Sequence, residues 1–529
     1  MNKVLPYEEA KNVLDPKEKV GQLFMPAAFI NDTEEEIQQL ESLIKDYGVG
    51  GLCFFHSRAS AATNFEGKKE VILNENSLET LKKLILRYQN VSKYPLLISM
   101  DAEWGLAMRI ENTPQYPYAI TLGALEGHTD LIFEVGKNIA RDCKLAGIHW
   151  NLAPVVDINT NPLNPVIGYR SFGEHKEQVV QKASAFIKGT QSEGILTSIK
   201  HFPGHGDTAT DSHLGLPVIH KTKQELLDNE LYPFRKLLAT QVDSVMIGHL
   251  AVPSLTNGIP VPATLSKAVI QNLLREEMGF KGVVISDALN MHSVSKMYPV
   301  KGALEWQAFD AGNDVLCFAE HIAEGIGTIL KKASENQIEE RFENVWRLKK
   351  KAIHPPLASL EELSRPDALN SLLAENSLTF LKGTENDLLT FKKTDFIGVA
   401  MGKKMENVFF RSIAKELRFD VLSAREEIKN NDNMLLALFP PQVKPTASFG
   451  IPDKELQRIN ELIKTRNSIL YLFGNPYVLN HINIENARAV VLVYQDFGVF
   501  QENAAQHFLG HTRAKGKLSI AINTIDHEK

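Results

Sequence analysis

Short apolar runs alternate with longer amphipathic stretches through the first two thirds of the chain. This alternation is typical of parallel strands joined by helices, and eight such runs predict a (β/α)8 TIM-like barrel, which we place at residues 1–352. The runs are residues 20–25, 51–55, 96–100, 148–153, 195–199, 244–247, 283–286 and 315–318.

The pattern breaks at His354-Pro355-Pro356, because proline cannot continue a helix and restricts the residue before it. We therefore expect a linker at residues 353–372. Further apolar runs at 396–400, 434–438, 469–473, 490–493 and 518–522, again separated by helical stretches, predict a smaller α/β (αβα) sandwich domain at residues 373–529.

Composition narrows the classes of function. The net charge is 58 − 64 = −6, and the basic pairs are scattered, which argues against a nucleic-acid-binding surface. No segment has the roughly 18 uninterrupted apolar residues that a membrane span needs. The first residues are charged throughout and lack the apolar region of a secretion signal, so we expect a cytoplasmic protein.

The chain has three cysteines, at positions 53, 143 and 317. They are too few and too far apart for a disulfide framework or a thiolate zinc site. Each lies in an apolar stretch, which predicts buried thiols.

Polar residues follow the predicted strands. In a parallel barrel the loops after the strands build the active site, so we expect these side chains to converge. They are His56, Asp101 and Glu103, Asp157, Lys200 and His201, His249, and Asp287.

The densest group lies at residues 200–213, where three histidines and two aspartates accompany Pro203, Gly204 and Gly206. The proline and glycines predict a loop, so these histidines do not share a helix face. Three interpretations remain open: an acid/base pair, a structural loop, and a metal site. Asp211 and His213 could form the acid/base pair, and nitrogen and oxygen ligands at this spacing are adequate for zinc.

Asp287 ends an apolar run, where an unpaired buried carboxylate costs free energy. It is either a functional carboxylate or the N-cap of a following helix. Asp101, Arg109 and Arg170 taken singly would more often form surface ion pairs.

Several of these segments resemble the β-N-acetylglucosaminidases of glycoside hydrolase family 3. The resemblance runs from about residue 14 to 350 in the family's order, and 472–477 and 516–520 are similar to the α/β sandwich domain that often follows. The segments are Lys-His-Phe-Pro-Gly-His-Gly-Asp-Thr at 200–208, Asp-Ser-His at 211–213, Ile-Ser-Asp-Ala-Leu-Asn-Met at 285–291, Pro-Ala-Thr-Leu-Ser at 262–266 and Arg-Ser-Phe-Gly at 170–173.

The resemblance implies that Asp287 is the nucleophile, His213 the general acid/base and Asp211 its orienting partner. It implies no metal or other cofactor. Where the family usually has Gln-Glu-Gly-Gly after the aspartate at 101, this chain has Ala-Glu-Trp-Gly. The residues that the resemblance assigns to the nonreducing-end sugar are Asp101, Arg109, Arg170, Lys200 and His201.

The implied activity is retaining hydrolysis that releases N-acetylglucosamine from muropeptides or chitooligosaccharides, so the expected partner is a carbohydrate. A phosphorylase stays open, because a neutral imidazole repels an incoming phosphate less than a carboxylate does. The alternatives from other classes are a metal-dependent hydrolase and an inactive sugar-binding protein.

Overall fold

The structure is a computed structural model that describes residues 4–58, 73–208, 215–240, 242–353, 362–404, 406–423 and 433–522. The chain packs as two compact units, each built from three segments. The first comprises Met1–Gln115, Phe133–Ile158 and Ala183–Ser364, and the second Tyr116–Ile132, Asn159–Lys182 and Arg365–Lys529. The domain limits expected from the sequence stay a prediction, and the His354-Pro355-Pro356 break lies outside the described residues.

In the described part of the first unit, nine short parallel strands form the core. Most are buried along their whole length, as parallel strands covered on both faces are. They are β1 (Phe24–Met25), β2 (Ala27–Phe29), β3 (Gly51–Phe55), β4 (Leu97–Met100), β5 (Trp150–Asn151), β6 (Leu196–Phe202), β7 (Ser244–Ile247), β8 (Val283–Ser286) and β9 (Leu316–Cys317).

These strands close into a barrel. A parallel ladder runs in chain order from β2 to β8. A bridge between Ile285 and Val315 continues it toward β9, and β9 pairs in parallel with β1. Only Pro26 separates β1 from β2. These two segments together occupy one strand position, so the nine strands make an eight-stranded barrel. The (β/α)8 barrel predicted from the apolar runs is confirmed.

The first strand of the barrel, β1, begins later in the chain than its apolar run predicts. Residues 20 and 21 belong to the helix Pro16–Gly21, which begins with a capping box between Asp15 and Glu18. The helix ends at Gly21, a two-residue turn follows, and the strand begins only at Phe24. The expected strand at 20–25 is therefore wrong for residues 20–23.

Helices cover the barrel and flank the second sheet. Capping boxes also start Glu34–Tyr47, Lys223–Asp228, Glu335–Ala352 and Glu385–Phe391. The α-helices are Tyr7–Val13, Pro16–Gly21, Glu34–Tyr47, Ser77–Val91, Ala119–Gly123, Thr129–Ala146, Lys176–Ser192, Lys223–Asp228, Leu231–Leu238, His292–Ser295, Ala303–Ala311, Ile322–Lys332, Glu335–Ala352, Asp367–Ser377, Glu385–Phe391, Val408–Ile413, Asp453–Thr465 and Gly498–Leu509. One π-helix spans Ala268–Glu277. Short 3₁₀ helices span Leu106–Met108, Gly168–Arg170, Pro253–Leu255, Ala263–Leu265, Ser448–Gly450 and Pro476–His481.

The second unit contains a six-stranded sheet in the order β10-β15-β14-β13-β11-β12. Its strands are parallel except β10, which pairs antiparallel with β15. The second α/β layer expected from the sequence is confirmed. The strands are β10 (Thr379–Lys382), β11 (Phe396–Gly402), β12 (Asp420–Ser423), β13 (Asn433–Phe439), β14 (Ser468–Leu472) and β15 (Ala489–Leu492).

The expected strand at 518–522 is wrong, because the backbone there bonds to other parts of the second unit. Lys517 N–H donates to the Ala124 carbonyl at 2.9 Å, and the Ser519 carbonyl accepts from Glu174 N–H at 2.9 Å. The apolar residues are buried against non-strand chain, which apolar content alone does not distinguish from a sheet.

Two expectations from composition can be compared with the structure. Cys53, Cys143 and Cys317 are all buried and free, as expected. Within the described ranges, no helix is both long enough and apolar enough to cross a bilayer.

Candidate active site

The strand ends of the first unit carry most of the residues that the sequence selects. Asp101 directly follows β4, and Asp287 directly follows β8. Lys200 and His201 lie near the end of β6. Because all of these strands run in parallel, their carboxyl ends lie at one face of the barrel.

Asp101 is held between two cations. Its Oδ2 lies 2.9 Å from Arg109 Nη2, and its Oδ1 lies 2.7 Å from Lys200 Nζ. Lys200 also pairs with Glu103 at 2.8 Å. We call these four residues the Asp101 cluster. Its two carboxylates balance its two cations.

The electrostatics of the cluster keep Asp101 ionised. Burial by itself would raise the pKa of Asp101, but the charges of Lys200 and Arg109 and their hydrogen bonds hold that pKa well below its usual range. An ionised aspartate can accept hydrogen bonds from sugar hydroxyls, while a lysine and an arginine donate them. The cluster therefore has the chemistry of a site for a polyol.

Arg109 has a donor that the described residues do not use. Its Nε is buried and has no hydrogen-bond partner among them, while its guanidinium lies over the ring of Phe55 at 5.2 Å. Leaving a buried donor unpaired costs about 1–3 kcal/mol, and a bound ligand could recover that free energy.

His201 is oriented by a carboxylate that the sequence analysis noted but gave no role. Asp157 is fully buried, and it accepts from His201 N–H at 3.1 Å and from His205 N–H at 2.8 Å. His201 Nδ1 lies 2.8 Å from Asp157 Oδ2. An ionised carboxylate only accepts, so Nδ1 carries the proton and Nε2 is the remaining nitrogen of the ring.

Asp157 and His205 have shifted pKa values with opposite effects of burial. Burial would raise the pKa of Asp157, but its interactions with His201 and His205 hold that pKa below its usual value. Burial, together with the charge of His201, lowers the pKa of His205 to about 4. Asp157 is therefore charged and His205 neutral near pH 7.

The histidine-rich loop does not assemble its described side chains as a metal site. His205 Nδ1 lies 2.7 Å from Thr208 Oγ1, and Asp207 pairs with Lys221 at 2.8 Å. No group of three or more metal-ligating side chains was found in the part of the chain that the structure describes. The side chains of His201, His205 and Asp207 thus have three different partners, Asp157, Thr208 and Lys221.

Asp287 is not the N-cap of a helix. The next helix is His292–Ser295, and its N-cap is Met291. The Asp287 N–H donates to the Ile247 carbonyl at 3.0 Å, and Asp287 Oδ1 accepts from Ala288 N–H at 2.7 Å. The carboxylate is half-buried, and the N-cap interpretation of this residue is wrong.

The charge of Asp287 affects the pKa values of His205 and Cys317. That charge raises the pKa of His205, although burial and His201 outweigh it. Contact with Cys53 and burial raise the pKa of the Cys317 thiol, and the charges of both Asp101 and Asp287 add to this increase. Asp101 and Asp287 thus act on the same thiol at β9, which supports their convergence at one end of the barrel.

Three predicted site residues are not tested by this geometry. Asp211 and His213 lie at 209–214, outside the described residues. Arg170 belongs to the second unit, at the end of the 3₁₀ helix Gly168–Arg170, and its Nη1 donates to the Val166 carbonyl at 3.2 Å. Their roles stay predictions.

Comparison with known proteins agrees with the fold. Residues 16–348 match the model of the glycosyl hydrolase family 3 N terminal domain. The chain is 34% identical over 292 residues to β-hexosaminidase A of Pseudoalteromonas piscicida, a match that covers 52% of this chain and 47% of that protein. It is 35% identical over 248 residues to a β-hexosaminidase of Tolumonas auensis, covering 46% of this chain and 72% of the relative. The chain thus spans about half the length of the Pseudoalteromonas relative.

A solved structure covers more of the chain. It is a glycoside hydrolase family 3 β-N-acetylglucosaminidase from Paenibacillus sp. str. FPU-7, with 26% sequence identity and a TM-score of 0.77. The likeness extends over 97% of this chain and 100% of that one. It therefore includes both units.

Proposed function

Because the chain belongs to glycosyl hydrolase family 3, we propose that it is a retaining exo-β-N-acetylglucosaminidase. The observation that carries this proposal is the position of Asp287 after β8, at the end of the barrel that also holds the Asp101 cluster. A carboxylate nucleophile beside charged donors and acceptors is suited to breaking a glycosidic bond.

The reaction takes two steps. In the first, Asp287 attacks the anomeric carbon, the bond to the leaving oxygen breaks, and His213 protonates that oxygen. In the second, His213 takes a proton from water, the water oxygen attacks the anomeric carbon, and Asp287 is released. Each step inverts the carbon, so the β configuration of the product is kept. Asp211 orients His213.

The sugar at the nonreducing end lies in the Asp101 cluster. Asp101 accepts hydrogen bonds from its hydroxyls, and Lys200 and Arg109 donate to their oxygens. His201, fixed by Asp157, contributes its Nε2 edge. We include Arg170 among the sugar ligands on the resemblance of its sequence motif. Charged partners on both sides give such contacts directionality.

The relatives support the choice of sugar. Two are named β-hexosaminidases, and the Paenibacillus structure is named a β-N-acetylglucosaminidase. We propose N-acetylglucosamine as the released sugar, from muropeptides or from chitooligosaccharides. Direct competition between a muropeptide and chitobiose for the enzyme, with kcat/KM as the readout, will rank these two substrates.

Product analysis tests the proposal. The purified protein is incubated with chitobiose, with and without a chelator and with and without phosphate, and the anomer first formed is identified by NMR. We expect free N-acetylglucosamine, initially the β anomer, in both buffers. The control is Asp46→Asn, an exposed aspartate on the helix Glu34–Tyr47, which should not change the products.

Other outcomes would replace the proposal. An initial α anomer would contradict the covalent step, because a single displacement inverts the carbon. N-acetylglucosamine 1-phosphate in the phosphate buffer would identify a phosphorylase instead. Activity lost with chelator and restored by metal would favour a metal-dependent hydrolase, and binding without cleavage would favour a sugar-binding protein.

A further inference from the structure

His249 lies just beyond β7 and is fully buried, but the proposed reaction gives it no role. Its Nε2 lies 2.9 Å from the carbonyl oxygen of Ala288. Its Nδ1 lies 2.7 Å from Oγ1 of Thr264. The ring therefore connects the residue that follows Asp287 with the Pro-Ala-Thr-Leu-Ser motif at 262–266.

The partners of His249 determine which nitrogen carries the proton. A carbonyl oxygen only accepts hydrogen bonds, so Nε2 must donate to Ala288. In the neutral ring Nδ1 is then the acceptor, and its partner is the Thr264 hydroxyl, whose Oγ1 also lies 3.0 Å from the Gly248 carbonyl oxygen. The Ala288 carbonyl therefore requires the Nε2-protonated tautomer, and the contact of Nδ1 with Thr264 is compatible with it.

Ala288 joins this histidine to the carboxylate. The Ala288 N–H donates to Asp287 Oδ1 at 2.7 Å, while the Ala288 carbonyl accepts from His249. The turn is held on both sides, since Asp287 N–H bonds to Ile247 and Leu289 N–H bonds to Cys317, each at 3.0 Å. The orientation of the Asp287 carboxylate therefore depends on a backbone segment that His249 fixes.

Thr264 itself is held by its surroundings. Its carbonyl accepts from Asn313 Nδ2 at 2.8 Å, and the neighbouring Ala263 N–H donates to the Leu250 carbonyl at 2.8 Å. Thr264 is fully buried. A fixed hydroxyl can hold the ring at its Nδ1 side, whereas a rotating surface hydroxyl cannot do so reliably.

We infer that His249 is a positioning residue that holds the Asp287 carboxylate in its reactive orientation through Ala288, with Thr264 holding the other side of its ring. This inference rests on the proposed function, because it assumes that Asp287 is the nucleophile. The inference also gives a role to Thr264 in the motif at 262–266, which has no part in the proposed reaction.

A pair of amide substitutions separates the two contacts of the ring. The glutamine amide nitrogen falls near the position of Nε2, so His249→Gln keeps a donor for Ala288 and loses the acceptor for Thr264. The asparagine amide oxygen falls near Nδ1, so His249→Asn keeps the acceptor and loses the donor. The two variants therefore differ in which neighbour they hold.

We expect His249→Asn to lower kcat by about 100-fold with KM nearly unchanged, because a small misplacement of a reacting group costs about that factor. His249→Gln should stay within about fivefold of the parent. Both rates are measured on an aryl N-acetylglucosaminide, for which formation of the glycosyl-enzyme is followed directly. Melting temperatures are recorded for both variants.

The inference is overturned if the asparagine variant matches the glutamine variant, or if the two lose activity in proportion to their melting temperatures. If His249→Asn does not fold, Thr264→Val and Thr264→Ser replace the pair: Val should lower kcat about tenfold and Ser should restore it, and equal activities would overturn the inference. Asp287→Asn is assayed in parallel. Retained activity in Asp287→Asn would contradict the proposed function. If Asp287→Asn is inactive but both His249 variants keep the parent's kcat, only this inference is contradicted.

Discussion

Asp207 and Lys221 form an ion pair of 2.8 Å that joins the two chain positions on either side of the segment carrying Asp211 and His213. Lys221 also pairs with the buried Glu230 at 2.6 Å. Burial would lower the pKa of Lys221, but its hydrogen bonds to Asp207 and Glu230 raise that pKa above its usual value, so it stays charged. Fixing both ends of a segment lowers the entropy that its residues lose on taking up one position.

We expect Asp207→Asn to slow hydrolysis of chitobiose about fivefold to tenfold while leaving aryl substrates with good leaving groups nearly unchanged. The variant weakens the pair at the ends of the segment but leaves Lys221 to neutralise Glu230, so the fold is kept. Steady-state kcat/KM on both substrates is the measurement. Glu277→Gln, which removes the exposed Lys223–Glu277 pair, is the control. Equal losses on the two substrates would contradict this role.

His213→Ala should slow hydrolysis of natural substrates by about 10²-fold to 10⁴-fold, because the sugar leaving group needs its proton. Dinitrophenyl glycosides need little protonation, so their first step should be spared. The comparison of kcat/KM for the two substrate classes is the test. The acid assignment fails if both classes lose the same factor.

Asp287→Ala should leave less than about 1% of the activity on every substrate, because no covalent intermediate can form. Added azide should restore turnover by attacking from the vacated side and should give the α-glycosyl azide. The product is identified by NMR. Residual hydrolysis above this limit, or a β-azide, would remove Asp287 from the role of nucleophile.

The buried His205 predicts how stability depends on pH. Its pKa is lowered to about 4 in the folded chain, whereas an unfolded chain protonates histidine near 6.5. The unfolded state thus binds the extra proton between these values, so the stability from this group is complete above about pH 7 and is lost as the pH falls toward 4. The loss is about 2 kcal/mol between pH 7.5 and pH 5.

Urea unfolding of the parent protein and of His205→Asn measures this effect. The difference in unfolding free energy between the two should shrink by about 2 kcal/mol from pH 7.5 to pH 5, since the variant has no titrating group there. The exposed His220, replaced by Asn, provides the reference for general effects of pH. A constant difference for His205→Asn would refute the buried neutral state.

Tyr477 connects separate segments of the second unit. Its hydroxyl accepts from Asn159 Nδ2 at 2.8 Å and donates to Glu174 Oε1 at 3.1 Å. Tyr477→Phe should lower the unfolding free energy by about 1–3 kcal/mol, because it removes the hydrogen bonds to Asn159 and Glu174. Thermal unfolding measures the loss, and an unchanged melting temperature would show that these contacts add nothing.

Much of the barrel could be predicted from sequence because parallel strands covered on both faces are continuous apolar runs. The runs at 51–55, 244–247 and 283–286 coincide with β3, β7 and β8. The run at 20–25 failed because its first residues lie in a helix and the turn that follows it. The strands β10 and β12 were not predicted, since most of β10 is half-buried, Asp420 and Val421 of β12 are exposed, and the apolar signal is weak.

The candidate site could be predicted less completely. Asp101 and Asp287 follow strands and Lys200 lies near the end of one, and these positions alone indicate that the three residues converge. The pairing of His201 with Asp157 depends on the alignment of β6 with the chain after β5, which a single sequence does not show. The clustering of histidines at 200–213 left a metal site open, whereas the described side chains of His201, His205 and Asp207 pair with Asp157, Thr208 and Lys221.

The two units interleave along the chain, because 116–132 and 159–182 belong to the second unit although both precede Arg365. The residues from 365 onward are therefore not a complete structural unit, because the second unit also needs the two earlier segments. A recombination event that exchanged only residues after 365 would separate Tyr477 from Asn159 and Glu174, the residues that its hydroxyl bonds to. Lineages that replace this C-terminal part should therefore carry matching changes in the two inserted segments.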